Sequence, residues 1–301
     1  MNDNARAALL MLAAMASFTI NDAFGKWLTT DIGVGQTMLL RGILATLILG
    51  FLAWREGAFS SLAALTKVPV VSRSMLEVAG TVTFLLALPH IALSNASAIY
   101  QSLPLMVTLG AVLFLGETVG WRRWLAIGAG FIGVLMIIQP GAAGFNGWSI
   151  LMLISVLFSS SRDLVTRRVA TGTSTIGVAM LTSALVTIAG AIMIPFEGGF
   201  KPVDWTHWLG ILATGVLITT AYITIIGAMR LGDVSFVAPF RYVALIFALV
   251  IGYFVFNEHP NTLMLIGSAI VVASGVYAFH RERVRAKDAR VKTAALVSTP
   301  I

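Results

Sequence analysis

Long apolar runs, separated by short polar segments, make up most of the chain from about residue 5 to residue 280. A helix needs about 20 apolar residues to cross a hydrocarbon core of about 30 Å, which is the length of these runs. Most charged residues fall between the runs. The pattern therefore predicts an all-α membrane protein. Its ten predicted spans lie near residues 5–26, 36–54, 73–93, 97–116, 121–138, 147–168, 175–194, 207–230, 235–256 and 262–280.

Composition places the chain in a lipid bilayer and narrows its chemistry. Hydrophobic residues make up 58% and charged residues 11%, against about 45–50% and about 25% in soluble domains. The absence of cysteine excludes disulfides, thiol catalysis and cysteine-bound metal. The sequence shows no metal motif, phosphate loop or nucleophile elbow. We therefore expect no metal, no cofactor and no enzymatic activity.

One segment imitates a nucleotide-binding motif. Residues 128–133, GAGFIG, match the dinucleotide fingerprint G-x-G-x-x-G, but no strand precedes them and they lie within a predicted span. Small residues in a transmembrane helix allow close approach of a second helix. We interpret these glycines, and the similar positions Gly267 and Gly275, as packing positions.

Lys and Arg set the predicted orientation. If the N-terminus lies inside, 16 of the 20 Lys and Arg residues fall in inside segments, two outside and two within spans. Basic residues concentrate on the cytoplasmic side, so we predict a multi-pass inner-membrane protein with both termini in the cytoplasm. This orientation accounts for the net charge of +7, and we expect no nucleic-acid partner.

The second half of the chain repeats the first. Each half has five spans, an odd number, so the two copies have opposite orientations in the membrane. We predict inverted five-helix repeats at residues 1–139 and 140–281, followed by a basic tail, 282–301, that we expect to be disordered. Inverted repeats are typical of secondary transporters, whose substrate sites lie near the midplane at the repeat interface. A shift of 141 superposes Asp22 on Asp163, Lys26 on Arg167 and Glu117 on Glu258, and a shift of 138 superposes Ser97 on Ser235.

The segments that carry the repeat resemble a known family. Residues 103–117, LPLMVTLGAVLFLGE, are followed by IGAGFIGVLMI, and residues 242–258, YVALIFALVIGYFVFNE, by IGSAIVVASGVY. Over about residues 5–280 the chain resembles the EamA-type branch of the drug/metabolite transporter superfamily, although Asn257-Glu258 replaces the expected Gly-Glu. The resemblance implies metabolite transport, often amino-acid export, and we expect the amino-acid exporter branch.

Two acid–base pairs are candidates for gates. Asp22 and Lys26 lie four residues apart, with the acid first, and can pair on one helix face. Asp163 and Arg167 repeat this spacing at the opposite membrane surface. The pairs either fix the helix ends or act as gates that open alternately.

Two arginines lie within spans, where an unpaired charge is costly. Arg41 either snorkels to the interface or faces the protein interior. Arg241 follows Pro239, whose ring frees a backbone carbonyl. It is either a clamp for a substrate carboxylate or a structural partner for Glu77 or Asp163.

Other ionisable residues could serve coupling or capping. Glu77 and His90 lie near opposite ends of the third span. They either titrate and couple protons to transport or are interfacial and hydrated. Glu117 and Glu258 end the repeated segments, and we expect each to cap a neighbouring helix or to bond the next loop.

Polar and aromatic residues inside the spans are predicted to line the pathway. Aromatic rings beside a few polar groups suit an amphipathic metabolite. We expect the third, fourth, eighth and ninth spans to frame the cavity. The predicted substrate-binding set comprises Phe18, Asn21, Phe84, Tyr100, Gln101, Tyr222, Arg241 and Tyr242.

The sequence thus predicts a transporter that works by alternating access. It would move a small amphipathic metabolite, an aromatic or neutral amino acid by preference, outward across the inner membrane as a monomer or weak dimer. A vitamin or nucleotide-like importer is the alternative. An intramembrane enzyme would need clustered acids or a metal motif, and a sensor would need a substantial soluble domain.

Overall fold

The computed structural model describes residues 3–55, 57, 62–116, 120–140, 146–170, 173–231 and 234–297. Within these ranges all regular structure is helical. The helices are α1 (Asp3–Ile32), α2 (Val34–Arg55), α3 (Leu62–Leu65), α4 (Val68–Ala87), α5 (Leu93–Tyr100), α6 (Leu103–Leu115), α7 (Trp121–Ile138), α8 (Trp148–Thr166), α9 (Thr175–Met193), α10 (Trp205–Leu231), α11 (Val234–Val237), α12 (Val243–Phe256) and α13 (Thr262–Val297).

The helices support the predicted ten-span fold. In the described part of the chain, eight helical segments are long and apolar enough to cross a membrane. The shorter apolar helices Trp124–Ile138 and Thr262–Ala278 occupy the fifth and tenth predicted spans. The all-α prediction is confirmed, since all regular structure in the described residues is helical. The physical reason is that an apolar run in lipid can satisfy its backbone hydrogen bonds only within a helix.

Helix pairing follows the symmetry of an inverted repeat. The most extensive contacts join α1 to α10, α2 to α9, α4 to α8 and α7 to α13. Exchanging the two repeats replaces α1 by α8 and α4 by α10. The exchange therefore turns the α1–α10 pair into the α4–α8 pair. The same exchange returns the α2–α9 and α7–α13 pairs to themselves. These last two pairs therefore lie along the pseudo-twofold axis.

Glycines allow the axial pairs to approach closely. A Cβ added at Gly133 would lie 2.7 Å from the carbonyl oxygen of Gly267, and one added at Gly267 would lie 2.6 Å from that of Gly133. Gly35 and Gly190 meet in the same way between α2 and α9. The contact confirms the predicted packing role for Gly133 and Gly267, whereas a Cβ added at Gly128 would have nothing within 4 Å.

Two spans are broken at equivalent places in the repeats. The fourth span stops at Gln101 and resumes as α6, which has Pro104 in its first turn. The ninth span passes from α11 through a 3₁₀ turn over Ala238–Tyr242, which contains Pro239, into α12. Proline lacks the N–H that would continue the α-helical ladder. Broken helices of this kind form the binding sites of many secondary transporters.

The C-terminal segment departs from the prediction. We expected a disordered tail after about residue 281, whereas α13 continues to Val297. Residues 281–297 contain neither glycine nor proline and are rich in Arg, Lys and Ala, which favour helix continuation. Residues 298–301 lie outside the described part.

Candidate functional site

A cavity of about 720 Å³ lies between the two repeats, at the broken helices. The predicted third, fourth, eighth and ninth spans all line it, and α1, α2, α8 and α13 add further walls. The breaks are joined directly, since Gln101 Nε2 donates a hydrogen bond of 3.2 Å to the carbonyl oxygen of Arg241. The cavity therefore occupies the position that the repeat symmetry predicts.

The predicted binding residues converge on this cavity. All eight contribute to its walls: Phe18, Asn21, Phe84, Tyr100, Gln101, Tyr222, Arg241 and Tyr242. Of the predicted gating or coupling residues, Asp22, Glu77, Asp163 and Arg167 also line it. Lys26 and His90 are absent from its walls. The roles of all these residues stay predictions.

Aromatic pairs from both repeats face the cavity. Phe18 of α1 and Tyr222 of α10 meet edge to face with their ring centroids 5.6 Å apart. Phe84 of α4 and Tyr100 of α5 do the same, also at 5.6 Å. The Tyr100 hydroxyl shares a hydrogen bond of 3.0 Å with Ser159 Oγ. The rings supply apolar surface to a cavity that also carries charge.

A charged network lies on the walls formed by α4 and α8. Arg162 Nη1 donates to both Glu77 carboxylate oxygens at 2.9 and 2.8 Å, and Arg162 Nη2 donates to Asp163 Oδ1 at 2.8 Å. Arg73 lies 3.5 Å from Glu77 on the other side. Arg162, and not Arg241, is thus the structural partner of Glu77 and Asp163. Sequence reasoning missed this pairing because it counted Arg162 only among the 16 basic residues of the inside segments; the need of Glu77 for a partner was the available signal.

Lys26 does not pair with Asp22. Its Nζ lies 2.5 Å from Glu258 Oε1 and 2.6 Å from the carbonyl oxygen of Ile91. Both carboxylate oxygens of Glu258 accept from the backbone N–H of Leu93, at 2.9 and 2.8 Å. We call this group the latch: the Lys26 and Glu258 side chains and the Leu93 N–H. It prevails over the Asp22–Lys26 spacing because Glu258 binds a lysine and a helix N-terminus at once, whereas an i, i+4 pair contributes only about 0.2–0.5 kcal/mol.

The latch confirms the predicted capping role of Glu258, which binds the first residue of α5. Glu117 lies outside the described residues. His90 stacks on Trp148, with the ring centroids 4.0 Å apart, which places it in a contact between helix ends and away from the cavity.

The latch and the cavity walls identify the two ends of the cavity. The latch joins the start of α5 to segments near the end of α1 and just beyond the end of α12, so these ends share one face, here called the latch face. At the other end, the walls reach Thr166, Arg167 and Ala278, where α8 ends and the apolar part of α13 ends. The cavity walls therefore extend from the latch, whose Leu93 is part of the lining, toward the face that holds both chain termini.

Three polar side chains form a distinct part of the wall on α1 and α2. Asn21 is 4% exposed; its Nδ2 donates to Asp22 Oδ1 at 3.3 Å, while its Oδ1 has no hydrogen-bond partner. Arg41 lines the cavity and interacts electrostatically with Asp22. Arg41 thus faces the protein interior and does not snorkel to the interface. In the described structure no three acidic or histidine side chains cluster as metal ligands.

Comparisons with known proteins agree with this architecture. A riboflavin transporter of Vibrio cholerae is 29% identical over 89% of this chain and 91% of its own. An S-adenosylmethionine uptake transporter of Rickettsia bellii is 24% identical over 90% and 92% of the two chains. A pseudopaline exporter of Pseudomonas aeruginosa is 24% identical over 88% and 93%. The EamA-like transporter family model matches residues 5–139 and 146–279, one match for each repeat. The chain therefore belongs to the EamA-like transporter family.

Proposed function

We propose that this protein is a secondary transporter of a small amphipathic metabolite, with an aromatic or neutral amino acid as the preferred substrate. The transport direction that we propose is outward across the inner membrane. The observation that carries the proposal is the cavity itself, in which aromatic pairs and charged groups from both repeats meet at two broken helices. A cavity of about 720 Å³ falls within the size range of sites for small ligands.

The second candidate is uptake of a vitamin or nucleotide-like metabolite. Two relatives, named as transporters of riboflavin and of S-adenosylmethionine, support it. Both compounds carry a planar heterocycle, and the aromatic side chains of the cavity, Tyr100 and Tyr222 among them, offer surfaces on which such a ring can stack. Another relative is named as an exporter, which supports the outward direction. Taken together, the relatives do not favour one transport direction over the other.

Alternating access is the mechanism that the arrangement supports. We infer that the latch closes the cavity at its own face and that the cavity is accessible from the face that holds both chain termini, which is one of the two states that the mechanism requires. With both termini in the cytoplasm, this state would load substrate from the cytoplasm. The second state would form by separation of the latch and closure of the walls around α8.

Transport by purified protein in liposomes tests the proposal. Liposomes are preloaded with unlabelled L-tryptophan, riboflavin or S-adenosylmethionine, and uptake of the matching labelled compound is followed against protein-free liposomes. We expect saturable exchange of L-tryptophan. Exchange of riboflavin or S-adenosylmethionine alone would favour the second candidate, and absence of exchange by folded protein would contradict both.

The same assay tests proton coupling. Glu77 lines the cavity and is held by Arg162, whereas His90 lies outside it, so Glu77 is the proposed coupling group. We expect an imposed pH gradient to drive net accumulation, and we expect Glu77→Gln to remove that dependence while exchange continues. Accumulation that ignores the gradient would contradict coupling.

A further inference from the structure

The charged groups of the cavity differ in whether other side chains already engage them. Arg162 binds two carboxylates and Arg73 binds Glu77 and Thr182. Arg41, by contrast, makes no hydrogen bond or ion pair of 4 Å or less with any described residue. A guanidinium carries five N–H donors, and within a membrane span it is costly unless it meets water or a partner. Arg41 is therefore free to bind a ligand anion.

Acceptors without a strong partner face the same region. The Asp22 carboxylate accepts one long hydrogen bond, 3.3 Å, from Asn21 Nδ2. Asn21 Oδ1 accepts no hydrogen bond, although Asn21 is only 4% exposed. Asn21 also contributes to the cavity wall. A buried polar atom without a partner costs about 1–3 kcal/mol. Asn21 Oδ1 is itself enclosed, so Asp22 is the acceptor that a ligand in the cavity can reach.

Donors and acceptors are thus presented side by side. Asp22 and Arg41 interact electrostatically but do not close into an ion pair. A ligand that is only cationic would be repelled by Arg41, and one that is only anionic would be repelled by Asp22. A group that carries both charges on neighbouring atoms satisfies both sides.

We propose that Arg41, Asp22 and Asn21 form a zwitterion site that holds the α-amino-acid head of the substrate. Arg41 binds the carboxylate through paired N–H donors. Asp22 accepts from the ammonium group, and Asn21, whose Nδ2 donates to Asp22 Oδ1, positions the Asp22 carboxylate. The substrate side chain then lies against Phe18, one helical turn from Asp22 on the same face of α1, and against Tyr222. This inference rests on the proposed function and names the part of the substrate that the cavity reads.

Equilibrium binding to protein in lipid nanodiscs tests the site with three labelled compounds that share an indole ring. L-tryptophan carries both charges, tryptamine lacks the carboxylate, and indole-3-propionate lacks the ammonium. We expect L-tryptophan to bind at least ten-fold more tightly than either analogue. Arg41→Gln should bring L-tryptophan down to the level of tryptamine, and Asp22→Asn should bring it down to the level of indole-3-propionate.

The two variants are informative because each should erase a different preference. A merely structural role would weaken all three compounds equally, and that result would overturn the inference. Arg55→Gln and Asp3→Asn are matched controls, since they remove exposed charges from α2 and α1 and should leave every affinity unchanged. Size-exclusion chromatography confirms that each variant is folded.

The binding and transport assays separate the two proposals. Exchange of riboflavin by a protein that does not bind L-tryptophan would overturn the zwitterion site and leave the transporter function standing. Binding of L-tryptophan with the expected variant pattern, but without flux of any compound, would overturn the transporter function and leave the site standing. Equal affinity for the three indole compounds would overturn the site.

Discussion

Arg162 binds two acidic residues, Glu77 of α4 and Asp163 of α8. Its side chain is 19% exposed, and those of Glu77 and Asp163 are 22% and 40% exposed. Partial hydration weakens each ion pair. Even so, the Nη groups of Arg162 donate three hydrogen bonds of 2.8–2.9 Å to the Glu77 carboxylate and to Asp163 Oδ1. Breaking such a pair leaves the partner charge uncompensated, which costs more than forming it gained.

Replacing Arg162 should therefore destabilise the protein. We expect Arg162→Gln to lose about 2–3 kcal/mol of stability, the cost of losing hydrogen bonds between charged groups, and to lower the apparent Tm by about 5 °C. Thermal unfolding of purified protein in detergent measures the change. Arg168→Gln, at an exposed position just beyond α8, is the control, and equal Tm values for the two variants would contradict a stabilising network.

At the scale of elements, the latch joins helix ends from both repeats. Glu258 follows α12, while Lys26 and Leu93 belong to α1 and α5. The backbone N–H groups at a helix N-terminus carry partial positive charge. A carboxylate that binds both this terminus and a lysine holds the three elements together at one face. Neutralising it should favour the state in which they separate.

Glu258→Gln should raise access to the cavity from the latch face. The natural chain contains no cysteine, so Ser97→Cys, on the cavity wall, provides a single reporter. We expect a membrane-impermeant maleimide, added at the latch face, to label it about ten-fold faster, the effect of losing about 1.4 kcal/mol from the closed state. Reconstituted vesicles of known orientation provide the measurement.

Glu197→Gln is the matched control for this experiment. Glu197 also accepts from a helix-terminal N–H with both oxygens, that of Gly35 at 3.1 and 3.0 Å, but it lies between α2 and α9, away from the cavity. The protein that carries both Glu197→Gln and Ser97→Cys should be labelled at the same rate as the protein that carries Ser97→Cys alone. A rise of the same size in both variants would show general loosening of the face and not the opening of a gate.

The whole molecule depends on contact between the repeats along the pseudo-twofold axis. Apolar side chains gain little from leaving lipid for a helix interface, so close backbone packing contributes much of the association. The α7–α13 contact at Gly133 and Gly267 and the α2–α9 contact at Gly35 and Gly190 supply it. Both repeats are needed to build the cavity, and its formation is therefore a property of the entire chain.

Gly133→Leu should disrupt this association, because the new side chain would overlap the backbone of Gly267. We expect aggregation or loss of the folded peak in size-exclusion chromatography. Gly128→Leu, on the same helix but with nothing within 4 Å of an added Cβ, should elute as the unmodified protein does. Normal elution of the Gly133 variant would show that close packing at this point is dispensable.

The sequence by itself determined the ten spans, the two repeats and part of the cavity wall. Apolar runs of membrane length can satisfy their backbone only as helices. A polar residue such as Gln101 within such a run must face protein or water, so part of the cavity wall could be selected from local sequence. Pro104 and Pro239 marked the places where the helices break.

Only the tertiary structure decided which charges meet. Lys26 and Glu258 are 232 residues apart, and Glu77 and Arg162 are 85 apart. Their pairing depends on which helix faces meet and at what height in the membrane. A spacing of four residues made Asp22 the obvious partner for Lys26, but an exposed i, i+4 pair is weak, and the packing of α1 beside α12 gave Lys26 a stronger one. Asp22 is therefore not engaged by Lys26. It lies on the cavity wall with Arg41, with which it interacts electrostatically.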